Sequence, residues 1–316
     1  MRPGMATRCL EVDDLTPGEL RSILDDAVAW KSDPGNVPDL LTGRGAVALF
    51  EKPSARTRTA FEMAVVGLGG HPIQVRGEDV GIGVRESAAD VARTFAAFCD
   101  VIAARVFDHD VLRVMAEATD TPVVNLLSDS AHPTQALADV LTLREQFGDL
   151  EGRRVAYVGD GNNVAASLAF AAALCGLEMT VSSPAGYELD EEVVERARNL
   201  GGSVTPVPDP HEAVHGVDAV YTDVWASMGQ ESEAAQRRKA FDGYTVDTTL
   251  MERAGDDAVF LHCLPAHRGE EVAAEVIDGE HSRVWQQAEN RMHALRALLA
   301  HLVAGAGATP TTMGDA

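Results

Sequence analysis

The amino-acid sequence predicts an α/β protein with two doubly wound parallel-sheet domains, because two patterns in its 316 residues agree. Short apolar runs, typical of buried strands, alternate with longer stretches of helical periodicity along the chain. Such alternation places parallel strands between layers of helices. The alternation begins again near Glu151-Gly152, after a helix that ends near Phe147. We therefore expect one domain over residues 1–147 and a second over 148–287.

The elements of the first domain follow from apolar runs and helical spacing. Residues 46–50 form a continuous apolar run that predicts a buried strand. The helix after it carries Phe61, Val65 and Leu68 on one face and stops at Gly69-Gly70. Later strands are predicted at 71–75, 100–106 and 121–127, and later helices at 85–98 and 132–147.

The second domain repeats the pattern. A strand over 155–158 precedes an apolar helix over Asn163–Cys175, which Gly176 ends. The remaining predictions are strands at 178–182, 219–222 and 259–263, an acidic helix at 191–200 and a last helix at 288–303. The small and polar residues 304–316 predict a disordered tail.

Composition excludes several classes of protein. With 49 acidic and 26 basic residues, the net charge of −23 disfavours a nucleic-acid binder. No apolar run is long enough to span a membrane. The four cysteines, Cys9, Cys99, Cys175 and Cys263, form no C-x-x-C pair, which fits a reducing cytoplasm better than a disulfide framework or a zinc ribbon.

The bases are almost all arginines, since only Lys31, Lys52 and Lys239 are lysines. A GC-rich genome and adaptation to high salt both explain an acidic, lysine-poor chain, and the sequence leaves both open. The charge has one consequence for binding. Arginines near an anion site must overcome the repulsion of the acidic protein as a whole.

Ligands of open parallel sheets bind beyond the carboxyl ends of the strands, so we examined the residues that follow each strand. Ser54-Ala55-Arg56-Thr57 opens the helix after the first strand. A serine cap, free helix-start amides and arginines together suit a phosphate. Arg105 ends another strand. His132 and Gln135 lie three apart at a helix start, where both can donate to a carbonyl oxygen.

The turn Gly159-Asp160-Gly161-Asn162-Asn163 resembles a dinucleotide-binding fingerprint, but the resemblance is incomplete. Val164 stands where the third glycine belongs. Serines 182 and 183 follow the next strand in place of the acid that holds a ribose. An NAD-dependent dehydrogenase is therefore a weak alternative, and the turn instead offers amides at a helix start.

Three further motifs follow later strands. Asp223 and Ser227-Met228-Gly229 combine a carboxylate with a hydroxyl, a pairing that suits an ammonium group. His262-Cys263-Leu264-Pro265 ends the last strand, and Glu289-Asn290-Arg291 opens the final helix. A protease-type pair of Cys263 with His262 is disfavoured, because adjacent strand residues point to opposite faces.

The order of these motifs is more specific than any one of them. S-x-R-T-R, a strand-end arginine, H-P-x-Q, G-D-x-N-N, D-x-x-S-M-G, H-C-L-P and a late E-N-R together resemble the aspartate/ornithine carbamoyltransferase family. The D-x-x-S-M-G and H-C-L-P motifs resemble its ornithine branch. The resemblance implies an N-terminal carbamoyl-phosphate domain, onto which the last helix packs back, and a C-terminal ornithine domain. It implies transfer of a carbamoyl group to ornithine, no metal or organic cofactor, and a homotrimer or an assembly of trimers.

The resemblance also implies roles for individual residues. The carbamoyl-phosphate set is Ser54, Ala55, Arg56, Thr57, Arg105, His132, Gln135, Cys263, Leu264 and Arg291. The ornithine set is Asn163, Asp223, Ser227 and Met228. Catalysis would depend on Arg105 and His132 at the carbamoyl oxygen and on Asp223 and Cys263 at the amine. Two points stay open: Ala55 replaces the usual Thr or Gly, and the acceptor could be another amine, such as putrescine or an N-acylornithine.

Overall fold

The protein is described by a computed structural model that covers residues 7–226 and 233–306. The chain divides into two compact units. The first contains the residues up to Leu137 and those from Arg291 onward, and the second runs from Ala138 to Asn290. Both boundaries fall inside helices. Each unit contains its own parallel sheet, as the sequence predicts, although each sheet has five strands and the sequence predicted four.

The sheet of the first unit has the strand order β1-β5-β4-β2-β3. Its strands are β1 (Arg8–Cys9), β2 (Gly45–Phe50), β3 (His71–Arg76), β4 (Val101–Arg105) and β5 (Val123–Leu127). The helices in sequence are α1 (Pro17–Ser32), α2 (Ala55–Gly67), α3 (Gly77–Val80), α4 (Ala88–Ala96), α5 (His109–Glu117) and α6 (Pro133–Phe147). Strands β2 and β4 are buried and apolar, which is typical of parallel strands covered on both faces.

The sheet of the second unit has the order β10-β9-β6-β7-β8, and all its pairs are parallel. Its strands are β6 (Arg154–Val158), β7 (Glu178–Ser182), β8 (Ser203–Pro206), β9 (Ala219–Thr222) and β10 (Val259–His262). The helices are α7 (Asn163–Cys175), α8 (Glu191–Asn199), α9 (Pro210–Ala213), α10 (Ala234–Ala240), α11 (Thr248–Met251), α12 (Ala274–Ile277) and α13 (Val284–Gly305). In both sheets the strand order reverses beside a central strand, where ligand crevices form.

The structure corrects several predicted boundaries. The helix expected at 85–98 begins only at Ala88, because Ser87 caps it by accepting the amide of Asp90. The last helix begins at Val284 and continues to Gly305, so residues 304 and 305 are helical and not part of a tail. From Arg291 on, this helix belongs to the first unit. Residues 307–316 lie outside the described part of the chain.

The sequence analysis missed the longer helices α1 and α5, the strands β1 and β8, and all of the short helices, which are α3, α9, α10, α11 and α12. The start of helix α1 was predictable from the sequence. Thr16 and Glu19 form a reciprocal capping box, and a proline lies in the first turn of the helix. The short strands β1 and β8 have no apolar run and depend on pairing with a neighbour. None of the described helices has the length and hydropathy of a membrane span.

The turn after β6 requires a glycine at position 161. A Cβ on Gly161 would lie closer than 3.0 Å to the backbone of Glu188 and Leu189, nearer than side-chain atoms approach. The Gly161 amide also donates to the carbonyl of Tyr187 at 2.8 Å, so the two segments cannot separate without losing this bond. Backbone packing accounts for the glycine without a nucleotide.

We predict that Gly161→Ala lowers the free energy of unfolding by about 3 kcal/mol, because overpacking against backbone forces a shift. Urea unfolding of the full chain measures the change. Gly18→Ala is the control, since no atom lies within 4 Å of its added Cβ, and it should be neutral. Equal stability of the two variants would contradict this account of Gly161.

Candidate active site

The start of α2 in the first unit presents unpaired backbone amides. Ser54 caps the helix, and its hydroxyl accepts the Thr57 amide at 3.3 Å. Ala55 is the first helical residue and is exposed, so its amide is one of those that the helix itself leaves unbonded. Arg56 is exposed beside it. A helix start of this kind favours an anion through both its amides and its dipole.

Two buried arginines converge on the hydroxyl of Thr57. Arg291 donates to Thr57 Oγ1 at 2.7 Å, and Arg105 donates to the same oxygen at 3.4 Å. Burial lowers the pKa of Arg105 to about 10, and the positive charges of Arg291 and Arg56 add to this effect. Among the described residues, Nε of Arg105 meets no acceptor. Like charges this close together suit a bound anion, whose negative charge would favour the charged form of each arginine.

His132 and Gln135 are buried at the start of α6. The His132 carbonyl accepts the amides of Gln135 and Ala136 and so begins the helix. Burial, followed by the charges of Arg291 and Arg105, holds the pKa of His132 well below its ordinary value of 6.5. The imidazole is therefore neutral at pH 7, with one ring N–H available as a donor.

The second unit brings Asp223 and Cys263 together. They follow the adjacent parallel strands β9 and β10, so both lie at the carboxyl edge of the sheet. Cys263 Sγ donates to Asp223 Oδ1 at 2.9 Å, and both residues are buried. A sulfur that donates to a carboxylate is a thiol, since a thiolate at this distance would be repelled.

The neighbouring strand β6 leads into the Asn162-Asn163 pair. Asn162 caps α7 and donates through Nδ2 to Asp223 Oδ2 at 3.0 Å. Asn163 is the first residue of α7 and is half-buried. Ser227 and Met228, both predicted to contact ornithine, lie outside the described residues.

The turn after Cys263 has an unusual backbone. Leu264 has a φ of +59°, a left-handed conformation that costs a residue with a side chain about 1 kcal/mol or more. The Leu264 amide donates to His262 Nδ1 at 2.9 Å, and His262 Nε2 lies 3.2 Å from Glu271 Oε1. Because Nδ1 accepts, the ring proton is on Nε2 and is donated to Glu271. These bonds hold the turn and leave neither ring nitrogen as a base for Cys263.

Two groups of side chains have the spacing of metal ligands. One ligand atom from each of Asp223, His262 and Cys263 lies within 4.8 Å of the others, as do those of His267, Glu270 and Glu271. In the first group, a cation that binds His262 must displace the Leu264 amide or Glu271. Carbamoyl transfer by the residues described here needs a metal ion at neither group.

Comparison with known proteins assigns both units to one family. The family model for the carbamoyl-P binding domain of aspartate/ornithine carbamoyltransferases matches residues 8–145, and that for the Asp/Orn binding domain matches residues 151–302. The chain belongs to the aspartate/ornithine carbamoyltransferase family. The similarity therefore covers both units and nearly the whole described chain.

Individual relatives are similar over most of their length. A protein of Acidothermus cellulolyticus named ornithine carbamoyltransferase is 49% identical over 96% of this chain and 98% of its own. One of Pyrococcus furiosus, named ornithine carbamoyltransferase, anabolic, is 46% identical over 94% of this chain and 96% of its own. A solved structure of ornithine carbamoyltransferase from Pyrococcus furiosus has a TM-score of 0.91 at 45% identity, covering 95% of this chain and 98% of that one.

The predicted residues thus form two sets within this carbamoyltransferase chain. The first unit brings together Thr57, Arg105 and Arg291, although they are far apart in sequence, and places His132 within their electrostatic influence. The second unit brings Asp223 and Cys263 together. Sequence reasoning missed Asn162 and Glu271 as partners of these residues. The residue types of Asn162 and Glu271 do not indicate these contacts, although Asn162 lies inside the motif Gly159-Asp160-Gly161-Asn162-Asn163 that the sequence analysis named.

A buried salt bridge in the second unit also escaped prediction. Arg237 donates to Asp160 Oδ2 at 2.8 Å and to the Trp225 carbonyl at 2.9 Å. Burial raises the pKa of Asp160, although the charge of Arg237 opposes that shift. Arg237 thereby fixes the chain just before the segment with Ser227 and Met228. No spacing rule relates positions 160 and 237.

The low pKa of His132 predicts a pH dependence of stability. The unfolded chain takes up a proton near pH 6.5 while the folded chain does not, so lowering the pH favours unfolding. Between pH 6.5 and 5, the wild type should lose about 2 kcal/mol of unfolding free energy relative to His132→Gln, at about 1.4 kcal/mol per pH unit. Urea unfolding at both pH values measures this. His71→Gln, at an exposed position, is the control, and a constant difference for His132→Gln would contradict the shift.

Proposed function

We propose that this chain transfers the carbamoyl group of carbamoyl phosphate to the side-chain amine of L-ornithine, giving L-citrulline and phosphate. The observation that carries the proposal is the convergence of Arg105 and Arg291 on Thr57 in a unit that matches the carbamoyl-P binding domain. The second unit matches the Asp/Orn binding domain and presents the Asp223–Cys263 pair. The relatives described above are named for this activity.

In the first unit, the phosphate would lie on the Ser54-Ala55-Arg56-Thr57 helix start. There the amides, the helix dipole and Arg56 stabilise the charge that grows as phosphate leaves. Arg105, the Thr57 hydroxyl and neutral His132 would donate to the carbamoyl oxygen, where the tetrahedral oxyanion forms. Gln135 and Arg291 complete the carbamoyl site. Donors that are already in place need no reorganisation during the reaction.

In the second unit, the predicted ornithine residues would bind the substrate and orient its side-chain amine. An alkyl amine has a pKa near 10, so at neutral pH ornithine arrives as an ammonium that cannot attack. The Asp223 carboxylate attracts this ammonium, and the Cys263 sulfur lies at the same place to orient the nitrogen. Asn163, Ser227 and Met228 would hold the amino-acid end, and Leu264 would contact the carbamoyl group. The proton passes to solvent before or during attack, because only the neutral amine carries a lone pair.

The assembly, the compartment and the pathway direction are part of the proposal. A homotrimer, or an assembly of trimers, follows from the family resemblance. A cytoplasmic location fits four cysteines for which the described part of the chain shows no disulfide, three of them buried. The relative named anabolic supports a biosynthetic role in arginine metabolism.

The first test compares acceptors. Citrulline-type product formation from carbamoyl phosphate should be far faster with ornithine than with putrescine, N-acetylornithine or aspartate. Asp223→Asn should lower kcat/KM for ornithine by about 100-fold, since truncating one partner of a buried ion pair costs 2–5 kcal/mol. Asp242→Asn, at an exposed carboxylate, is the control. Faster turnover with another amine would overturn the choice of ornithine but preserve the carbamoyl-phosphate site.

The second test concerns Ala55, which departs from the family motif. Since Ala55 is the first residue of α2, its contribution to phosphate binding would come from the backbone amide. Ala55→Thr should therefore change KM for carbamoyl phosphate by less than about threefold. Thr59→Ala, on the exposed side of the same helix, is the control. A tenfold or greater fall of KM in Ala55→Thr would show that a hydroxyl is missing from the wild-type site.

A further inference from the structure

We propose that Asn162 is a positioning residue whose amide sets the orientation of the Asp223 carboxylate. Asn162 lies beside the residue mapped to ornithine, Asn163, and has no assigned role of its own. The inference rests on the proposed function, since it takes Asp223 as the group that receives the ornithine amine. It concerns only contacts inside the second unit.

The hydrogen bonds of Asn162 fix which end of its amide faces Asp223. Oδ1 accepts the backbone amides of Val164 at 2.9 Å and Ala165 at 3.2 Å, and the hydroxyl of Tyr157 lies 3.3 Å away. The first two partners can only donate, so this atom must be the oxygen. Nδ2 is therefore the atom 3.0 Å from Asp223 Oδ2, and it is a donor.

The two oxygens of Asp223 have different partners as a result. Oδ2 receives the Asn162 amide, and Oδ1 receives the Cys263 thiol at 2.9 Å. The carboxylate plane is thus held at both ends, by groups from the chain after β6 and the chain after β10. Without the Asn162 donor, the Cys263 thiol is the one hydrogen-bond donor to this carboxylate that the described residues show, so the carboxylate would rotate more freely. A misplaced reactive group costs about 100-fold in rate per ångström of displacement.

Asn162 has a second role that must be separated from the first. As the N-cap of α7, its Oδ1 satisfies two amides of the helix. Asparagine, aspartate and serine are similarly good caps, whereas alanine is a poor one. Aspartate keeps the capping oxygen but turns a carboxylate oxygen toward Asp223. Serine keeps a capping oxygen but has no donor that reaches Asp223. The positioning role and the capping role therefore predict different rankings of the three variants by activity.

The experiment measures kcat and KM for ornithine, together with Tm, in Asn162→Asp, Asn162→Ser and Asn162→Ala. If Asn162 positions Asp223, kcat/KM for ornithine falls about tenfold or more in all three variants, because each loses the charge-assisted hydrogen bond to Asp223. The fall is largest in Asn162→Asp, where a carboxylate oxygen replaces the donor. Tm stays within about 1 °C of the wild type for Ser and falls by about 2 °C for Ala. Asn162→Asp keeps the capping oxygen but loses stability through repulsion between two carboxylates. Asn162→Asp would then be the least active variant, and Asn162→Ser would lose activity at an unchanged Tm.

Capping alone gives the opposite order. Activity would then follow Tm, with Asn162→Ala the worst variant and Asn162→Asp close to the wild type, and this result would overturn the proposal. Asp190→Asn, at the exposed cap of α8, is the matched control and should change neither activity nor Tm. If Asn162→Asp does not fold, the comparison of Ser with Ala still decides, because equal activity losses at different Tm values support positioning.

The assay separates this proposal from the function beneath it. A wild-type enzyme that does not carbamoylate ornithine would refute the proposed function, whatever the variants do. Turnover by the wild type with an unaffected Asn162→Asp would refute the positioning role alone. The Kd of carbamoyl phosphate, measured without ornithine, should stay within about twofold in every variant, because its charged contacts belong to the first unit. A larger change would indicate a general structural defect and overturn the proposal.

Discussion

The hydroxyl of Thr57 accepts hydrogen bonds from two buried arginines, and much of the first unit serves to make this possible. Arg105 comes from the end of β4, Arg291 from the final helix, and Thr57 from the first turn of α2. Two guanidinium groups converge on one oxygen, so their repulsion is built into the site. Burial, and after it the neighbouring positive charges, lowers the pKa of Arg105 and that of His132. In the proposed function, an anionic substrate relieves the repulsion between the two arginines.

This local positive charge stands against a chain of net charge −23. At a distance, the acidic surface repels an anion, but the field of exposed charges is screened within about 8–10 Å in physiological salt. Buried arginines and helix-start amides act over hydrogen-bond distances, where screening is weak. A negatively charged enzyme can therefore bind carbamoyl phosphate without a basic surface.

In the second unit the buried charge is negative, and hydrogen-bond donors hold the carboxylate of Asp223. Asp223 has a donor on each oxygen, Asn162 on one and Cys263 on the other. The backbone turn after Cys263 contains the strained Leu264. The Leu264 amide donates to His262, and His262 donates to Glu271. Most of these groups never touch a substrate in the proposed reaction. They explain why the H-C-L-P motif begins with a histidine that is not itself a base.

The sequence by itself determined the fold class, because apolar runs and helical periods are local and both repeat after residue 150. It also determined the family, because the order of the motifs is specific even where each motif is short, and through the family resemblance it predicted which residues face the substrates. Helix α7 and strand β7 were predicted to the residue, while the caps at Ser87 and Thr16 were overlooked. Only the tertiary structure decided the partners: Asn162 with Asp223, Asp160 with Arg237, and His262 with Glu271. Such pairs depend on where parallel strands end and on which side-chain atoms then face each other, and no local spacing in the chain encodes that.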